Sequence, residues 1–236
     1  MTELTYRSDI KVTLVDVMGE DLDVARAAWV STKGARSEDE QDSEKVAGLV
    51  NYLMRGRHGS PFEHCVMKWV VEAPIFVWRE HHRHRIASYN EQSGRYGVLP
   101  PQFYVPSPDR NLVQQGKPGE YIFVPGSEGQ VNMVGANIRS ANAQAYAAYE
   151  DMLANGIAPE VARVCLPVNI YSTCYVTMNL RALMNFLSLR TKDHNAFFRS
   201  YPQREIEMVA EQYEQDFAER FPKVYDAFHS NGRIAP

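Results

Sequence analysis

Cysteine is scarce in this chain. Cys65, Cys165 and Cys174 are the only three in 236 residues, too scattered for a CxxC pair or a disulfide framework. No apolar run approaches the ~18 residues of a membrane-spanning helix. GxGxxG and GxxxxGK[ST] are absent, which disfavours a Rossmann or P-loop nucleotide domain, and HExxH is absent as well. An excess of positive charge is missing too: 25 basic against 29 acidic residues leave a net charge of −4. That excludes a broadly basic nucleic-acid binder but leaves room for a local anion site. The first residues, MTELTYRSDIKVTLVDV, lack the basic, apolar, small-residue order of a signal peptide, so a cytoplasmic protein without membrane attachment is expected.

Lysine is the other scarce residue, 7 against 18 arginines. Lysine mainly solubilises, whereas arginine offers a planar fork for phosphate or carboxylate, so the imbalance leans toward anion recognition. With 44% hydrophobic and 23% charged residues the composition is that of an ordinary globule, and the chain is long enough to bury a sizeable core.

Periodicity predicts a strand over 10–18 and a short helix over 24–33 capped by Asp21 or Asp23. A polar surface segment follows over 34–44, then a helix over 43–57 with Val46, Leu49, Val50 and Leu53 on one face. HGSPFEH at 58–64 interrupts it. The run 65–72 reads as a strand with Met67, Trp69 and Val71 on one face. Pro74 suits the first turn of a helix over 75–85. Residues 106–129, rich in proline, glycine and charge, read as a long surface loop or flap. Helices over 130–153 and from Pro159, a strand over 166–178, a helix over 180–189 capped by Asn179, and a last helix over 203–221 stopped by Pro222 complete about three strands and five or six helices.

The unusual stretch is REHHRHRIASYNEQSGRY at 79–96. Four arginines and three histidines repel one another there unless they meet an anion or stay fully solvated. Arginine forks with the hydroxyls and backbone N–H groups around Ser88, Ser93 and Gly94 suit a phosphate clamp, and Tyr89 and Tyr96 are candidates to stack on a ring. A solvated helix end is the plainer alternative, because cations favour helix C-termini. His81 and His84, three apart, also allow a metal reading, but neighbouring arginines raise the cost of a bound dication and no cysteine pair completes four ligands; no metal is expected. Farther on, Arg163, Asn179, Arg181, Asn185, Arg190 and His194 stand amid apolar sequence. Arg181 and Asn185 share a helix face, while Arg190 falls roughly 180° away.

Arg83-His84-Arg85, seven residues and then Ser93, matches the RHR-x7-S signature of the flavin-dependent thymidylate synthases. SPFEH at 60–64, API at 73–75, SYN at 88–90, SGRY at 93–96 and NLRALMNFLSLR at 179–190 also resemble that family. The resemblance covers about 10–225 and implies a single domain, 1–236, of α/β fold: a twisted, mostly antiparallel sheet flanked by helices. It implies methylation of dUMP to dTMP, with 5,10-methylenetetrahydrofolate as carbon donor and NADPH as reductant through bound FAD. It further implies a homotetramer whose active sites are shared between subunits.

Carried over by position, Ser60, Arg83, His84, Arg85 and Glu91 resemble flavin contacts, as do Asn179, Leu180, Arg181 and Asn185 from a second subunit. His58 and His194 look like flavin-side residues. Glu80, His81, His82, Arg83, Glu91, Gln92, Ser93, Gly94, Arg95 and Arg163 resemble the deoxyuridylate-binding positions. Arg190 resembles the arginine that polarises the uracil carbonyl and favours loss of its N3 proton. One departure stands out: Glu80-His81-His82 occupies a place where many members have Gln-x-x, and a carboxylate there accepts from uracil N–H but repels phosphate. No cysteine has an evident base beside it, so an electrostatic route through Arg190 is expected in place of a covalent cysteine adduct. The rival expectations are a non-catalytic nucleotide-binding module, a metal-dependent hydrolase, and a structural oligomer with arginines paired across an interface.

Overall fold

The computed structural model describes residues 2–34, 36, 42–117 and 121–236. Of the polar segment expected over 34–44, residues 35 and 37–41 lie outside the described residues. The chain divides into two compact units, one of residues 1–9, 73–76 and 92–172, the other of residues 10–72, 77–91 and 173–236.

The larger unit is built on a four-stranded sheet. Its strands are β2 (Lys11–Met18), β3 (Val66–Pro74), β4 (Ser88–Glu91) and β8 (Tyr171–Asn179), in the order β2-β3-β8-β4. β2 pairs antiparallel to β3, with Lys11 opposite Glu72 and Met18 opposite Val66. β4 pairs antiparallel to β8, with Ser88 opposite Thr177 and Glu91 opposite Cys174. The Leu180 N–H donates to the Cys65 carbonyl (3.1 Å), placing the end of β8 beside the start of β3, again antiparallel.

Side chains alternate across such a sheet. Met67, Trp69 and Val71 of β3 and Cys174, Val176 and Met178 of β8 are fully or almost fully buried, whereas Tyr175 is exposed. The helices of this unit are α1 (Asp21–Lys33), α2 (Ser43–Arg55), most of α3 (Ile75–His81), α6 (Leu180–Arg190), α7 (Arg204–Arg220) and α8 (Pro222–Ser230). Trp69 packs against Tyr213 of α7 with ring centroids 4.3 Å apart, and its indole N–H donates to Asp216 (2.8 Å). Burying each such side chain contributes ~1.5–3 kcal/mol. The Gln212 carboxamide ties α7 to the sheet edge, accepting from Val12 N and donating to Ile10 O.

The smaller unit has β1 (Thr5–Arg7) parallel to β5 (Gln102–Tyr104), an antiparallel hairpin of β6 (Asn111–Gln115) and β7 (Ile122–Pro125), the 27-residue α4 (Glu128–Ala154) and the short α5 (Pro159–Ala162). Its core gathers Leu99, Phe103, Tyr146, Tyr149, Ala162 and Ile170. The Tyr146 and Tyr149 hydroxyls satisfy the Leu99 carbonyl and N–H.

Several expectations need correction. The loop expected over 106–129 contains the β6–β7 hairpin and the first residues of α4, with 118–120 outside the described residues. Among the described residues eight strands stand where about three were expected, because the additional strands, of three to five residues, are too short to show alternation. α3 stops at His81, so Arg83-His84-Arg85 lies on a turn and not on a helix. Asp21 does not cap its own helix. Its buried carboxylate accepts from Lys223 N (3.0 Å) and Val224 N (3.1 Å) at the start of α8, and burial raises its pKa. Pro222, expected only as a stop, is the first residue of α8, the helix position proline tolerates best.

Candidate active site

In the larger unit the site grows out of the end of α3. After His81 the backbone tightens, with His82 N bonded to Trp78 O, Arg83 N to Glu80 O and His84 N to His81 O. The Tyr89 hydroxyl on β4 locks this turn, reaching the His84 carbonyl at 2.9 Å and the His81 carbonyl at 3.1 Å. Because that proton is committed to carbonyls, His81 Nδ1 donates to the Tyr89 oxygen (3.2 Å), and His81 Nε2 accepts from the Tyr213 hydroxyl (3.1 Å). His81 is fully buried and has no ring nitrogen left for a ligand. The nucleotide contact expected of it therefore belongs to no atom of its side chain. Tyr89, expected to stack on a ligand ring, is instead the residue that closes the turn.

His84 is buried against Phe186 of α6, ring centroids 4.5 Å apart. Its Nε2 accepts from Arg190 Nε (3.0 Å), and Arg190 Nη1 donates to Glu80 Oε2 (3.0 Å). Glu80, His84 and Arg190, 110 residues apart at the extremes, thus meet in one cluster. His82, Arg83 and Arg85 are exposed, His82 stacking on Trp78 at 5.8 Å. No carboxylate pairs with Arg83 or Arg85 among the described residues. Two uncompensated guanidiniums on a rigid turn are a donor set that fits the pyrophosphate of a flavin dinucleotide. Glu91 is exposed at the end of β4.

Burial pulls His81 down to about 3, helped by the charges of His84 and Arg190; burial and then Arg190 pull His84 down to about 4. Both therefore stay neutral near pH 7. A lowered folded-state pKa means that the unfolded chain takes up a proton first as pH falls through ~6.5. Stability contributed by the two neutral rings is complete above that pH and declines down to the folded values. Between pH 7.5 and 5.5 they are expected to remove about 2–3 kcal/mol from the unfolding free energy. Urea titrations at the two pH values measure the difference, and unchanged stability would contradict the burial of these rings.

A second cluster sits at the N-terminal end of α6, about 15 Å along the helix from Arg190. Asn179 caps α6, its Oδ1 accepting from Ala182 N (2.8 Å). Arg181 donates from Nε to Pro236 O and from Nη1 to Glu63, both at 2.6 Å. Its guanidinium crosses Gly59 so closely that a Cβ there would lie 2.5 Å from Cζ. Glu63 and Ser60 belong to the short 3-10 turn Ser60–His64. Asn185 and His194 are exposed. His58 stacks on Tyr52, ring centroids 5.8 Å apart. Leu180 is buried, so its side chain serves the core. Arg181 and Arg190, a half-turn apart in the helical projection, take separate partners at opposite ends.

In the smaller unit, Ser93, Gly94 and Arg95 follow Gln92 in a turn. Gly94 is buried, and a Cβ there would lie 3.0 Å from Leu99 and 3.2 Å from Arg163 Cδ. The Arg163 stem thus packs on the Ser93–Arg95 turn, and Arg95 pairs with Glu160. These contacts join residues 65 or more positions apart in chain order.

Two of the three cysteines are buried. Burial pushes the Cys65 thiol up to about 12 and the Cys174 thiol up to about 11. Among the described residues the exposed Cys165 has only carbonyl oxygens, of Ala145 and Ala162, as hydrogen-bond partners. Among the described residues no three of His, Cys, Asp and Glu converge to hold a metal ion, and no helix is long and apolar enough to cross a membrane. Phe186 and Tyr213, neither expected as a site residue, hold His81 and His84 together with Tyr89. The apolar face of 180–189 was readable around Phe186, but nothing in the sequence marks which histidine it meets.

Residues 13–223 match the family described as thymidylate synthase complementing protein. Proteins named flavin-dependent thymidylate synthase from Streptomyces avermitilis and Streptomyces coelicolor are each 53% identical, over 98% and 99% of this chain and 96% of their own lengths. One from Tropheryma whipplei is 49% identical over 98% of this chain and 97% of its own. The fold superposes on a crystal structure of the UMP/dUMP methylase PolB from Streptomyces cacaoi bound with 5-Br dUMP. The TM-score is 0.94 at 49% identity, covering 99% of this chain and 100% of that one. The same methylase bound with 5-Br UMP gives 0.93 at 48% identity. The matched length, the identity and the shared fold together make this chain a member of the flavin-dependent thymidylate synthase family.

Proposed function

We propose that this protein methylates dUMP to dTMP, taking the carbon from 5,10-methylenetetrahydrofolate and reducing equivalents from NADPH through FAD. The observation that carries the reading is the likeness, at 49% identity over nearly the whole chain, to a methylase bound with 5-Br dUMP. Support comes from the cluster around Arg190. Uracil C5 is a weak nucleophile, and C–C bond formation requires negative charge to build on the pyrimidine. Arg190, held at Nε and Nη1, retains the Nη2 donors for a pyrimidine carbonyl and stabilises that charge as it develops, with no reorganisation at the moment of reaction. The elevated pKa values of Cys65 and Cys174 weigh against a thiolate adduct.

Bound FAD supplies the redox chemistry. Arg83 and Arg85 would hold its phosphates, with Ser60, His84 and Glu91 and, from a second subunit, Asn179, Leu180, Arg181 and Asn185 as further contacts, and with His58 and His194 on the flavin side. His82, Gln92, Ser93, Gly94, Arg95 and Arg163 are read, by their position in the family, as nucleotide contacts, while the Glu80 carboxylate pairs with Arg190. The opposite placement of Arg181 and Arg190 supports sites shared between subunits of a homotetramer, and exposed apolar side chains such as Ile86 (75%), Val164 (81%) and Phe197 (72%) suit burial between copies. We read 1–236 as one functional domain of a cytoplasmic enzyme, since the family match runs through both compact units.

The test is product formation by the purified protein with methylenetetrahydrofolate, NADPH and FAD, comparing dUMP with UMP. Thymidylate from dUMP is expected. A chain that retains no flavin absorbance and makes no product would leave only a non-catalytic binding module. The second reading, methylation of UMP, is favoured by the relative bound with 5-Br UMP, and product from UMP alone would establish it.

A further inference from the structure

We propose that Glu80 is a positioning residue: its carboxylate, together with the His84 ring, aims the Arg190 guanidinium, and it acts through Arg190 without touching the nucleotide. This rests on the reading that Arg190 meets the pyrimidine. Arg190 is the last residue of α6, where an arginine side chain has many rotamers available. Two contacts at different nitrogens remove that freedom: Nε to His84 and Nη1 to Glu80, both 3.0 Å. A planar group fixed at two edge positions has its orientation fixed, and its third nitrogen points in one direction.

The two supports are themselves held. His84 is buried against Phe186, four residues before Arg190 on the same helix. Glu80 lies in the last turn of α3, its carbonyl accepting from Arg83 N. The side chains of Arg190 and Glu80 are 18% and 31% exposed, so the pair is partly shielded and still open to a ligand at one edge. A carboxylate spent on Arg190 is a weak choice for uracil N–H, and a bare one would repel the nucleotide phosphate. Paired with Arg190 it does neither. The group needed at this position is a fixed oxygen acceptor, which a carboxamide also supplies.

The test compares Glu80→Ala and Glu80→Gln, each alone and with Arg190→Ala, in the flavin-loaded enzyme. Losing a partner that orients a reacting group typically costs ~10- to 100-fold. Glu80→Ala is expected to lose that much in kcat, with the KM and Kd for dUMP and the flavin content within about threefold of wild type. Glu80→Gln is expected to recover most of the loss. In the Arg190→Ala background, removing Glu80 is expected to change nothing further, because a residue acting through another has no effect in its absence. A readout independent of turnover is the Arg190 Nε–H resonance, assigned by its loss in Arg190→Lys; its solvent exchange is expected to quicken in Glu80→Ala. Losses in nucleotide affinity instead of kcat, losses that multiply in the double variant, or an unchanged resonance would each overturn the proposal. A wild-type chain that methylates neither dUMP nor UMP overturns the reading beneath it, and the resonance then still decides whether Glu80 holds Arg190.

Discussion

Arg190→Ala is expected to lower kcat by ~10²- to 10³-fold, the usual consequence of removing a preorganised donor from a developing oxyanion. Flavin content is expected to stay near wild type, since Arg83 and Arg85 on the 82–87 turn do not depend on Arg190 for their fold. Tyr89 fixes that turn through the His81 and His84 carbonyls. Arg190→Lys separates charge from geometry. A lysine keeps the cation but loses the fork that meets His84 and Glu80 together, so its kcat is expected between wild type and the alanine variant. Steady-state kinetics with flavin absorbance on the same samples provide the check. Equal losses of turnover and flavin would reassign Arg190 to cofactor binding.

Arg233→Ala is expected to cost ~3–5 kcal/mol of stability, the range for removing one partner of a buried ion pair. The Arg233 side chain is 2% exposed. It bonds Glu214 through both Nη atoms and the Thr191 hydroxyl through Nη2 (2.6 Å), with Asp193 at 3.5 Å and His229 beside it. Burial raises the Glu214 pKa, but the Arg233 hydrogen bond and charge, with His229, bring it net below the ordinary value. This carboxylate therefore contributes stability that is present above ~4.3 and lost as pH falls through its folded value. The network also fixes the residue after Arg190, because Thr191 Oγ1 donates to Leu187 O (2.8 Å) while accepting from Arg233. Chemical denaturation measures the loss. Lys68→Ala, which breaks the exposed pair with Asp16, is the comparison and is expected to cost under ~1 kcal/mol. Similar costs for both would mean that the buried network carries no more than a surface contact.

Several features were determined by the sequence alone, because each is local. The alternation of Met67, Trp69 and Val71, the apolar face of Val46, Val50 and Leu53, and the Asn179 cap depend on a few adjacent residues and on strand or helix periodicity. The RHR-x7-S spacing is legible for the same reason. Tertiary structure decided the rest. The four short strands of the smaller unit, β1, β5, β6 and β7, are paired only by partners far along the chain or by turn chemistry, and they are too short to announce themselves. Asp21 reads as a cap for the helix beside it and serves one two hundred residues away. The three histidines at 81–84 look equivalent in a basic run. Folding buries His81 between two tyrosine hydroxyls, gives the His84 lone pair to Arg190, and leaves His82 exposed. Periodicity places Arg181 and Arg190 on opposite faces of one helix, but their partners, Glu63 and Pro236 for one and Glu80 and His84 for the other, come from packing between segments. Hydrophobic burial brings those segments together, and no local pattern of residues encodes it.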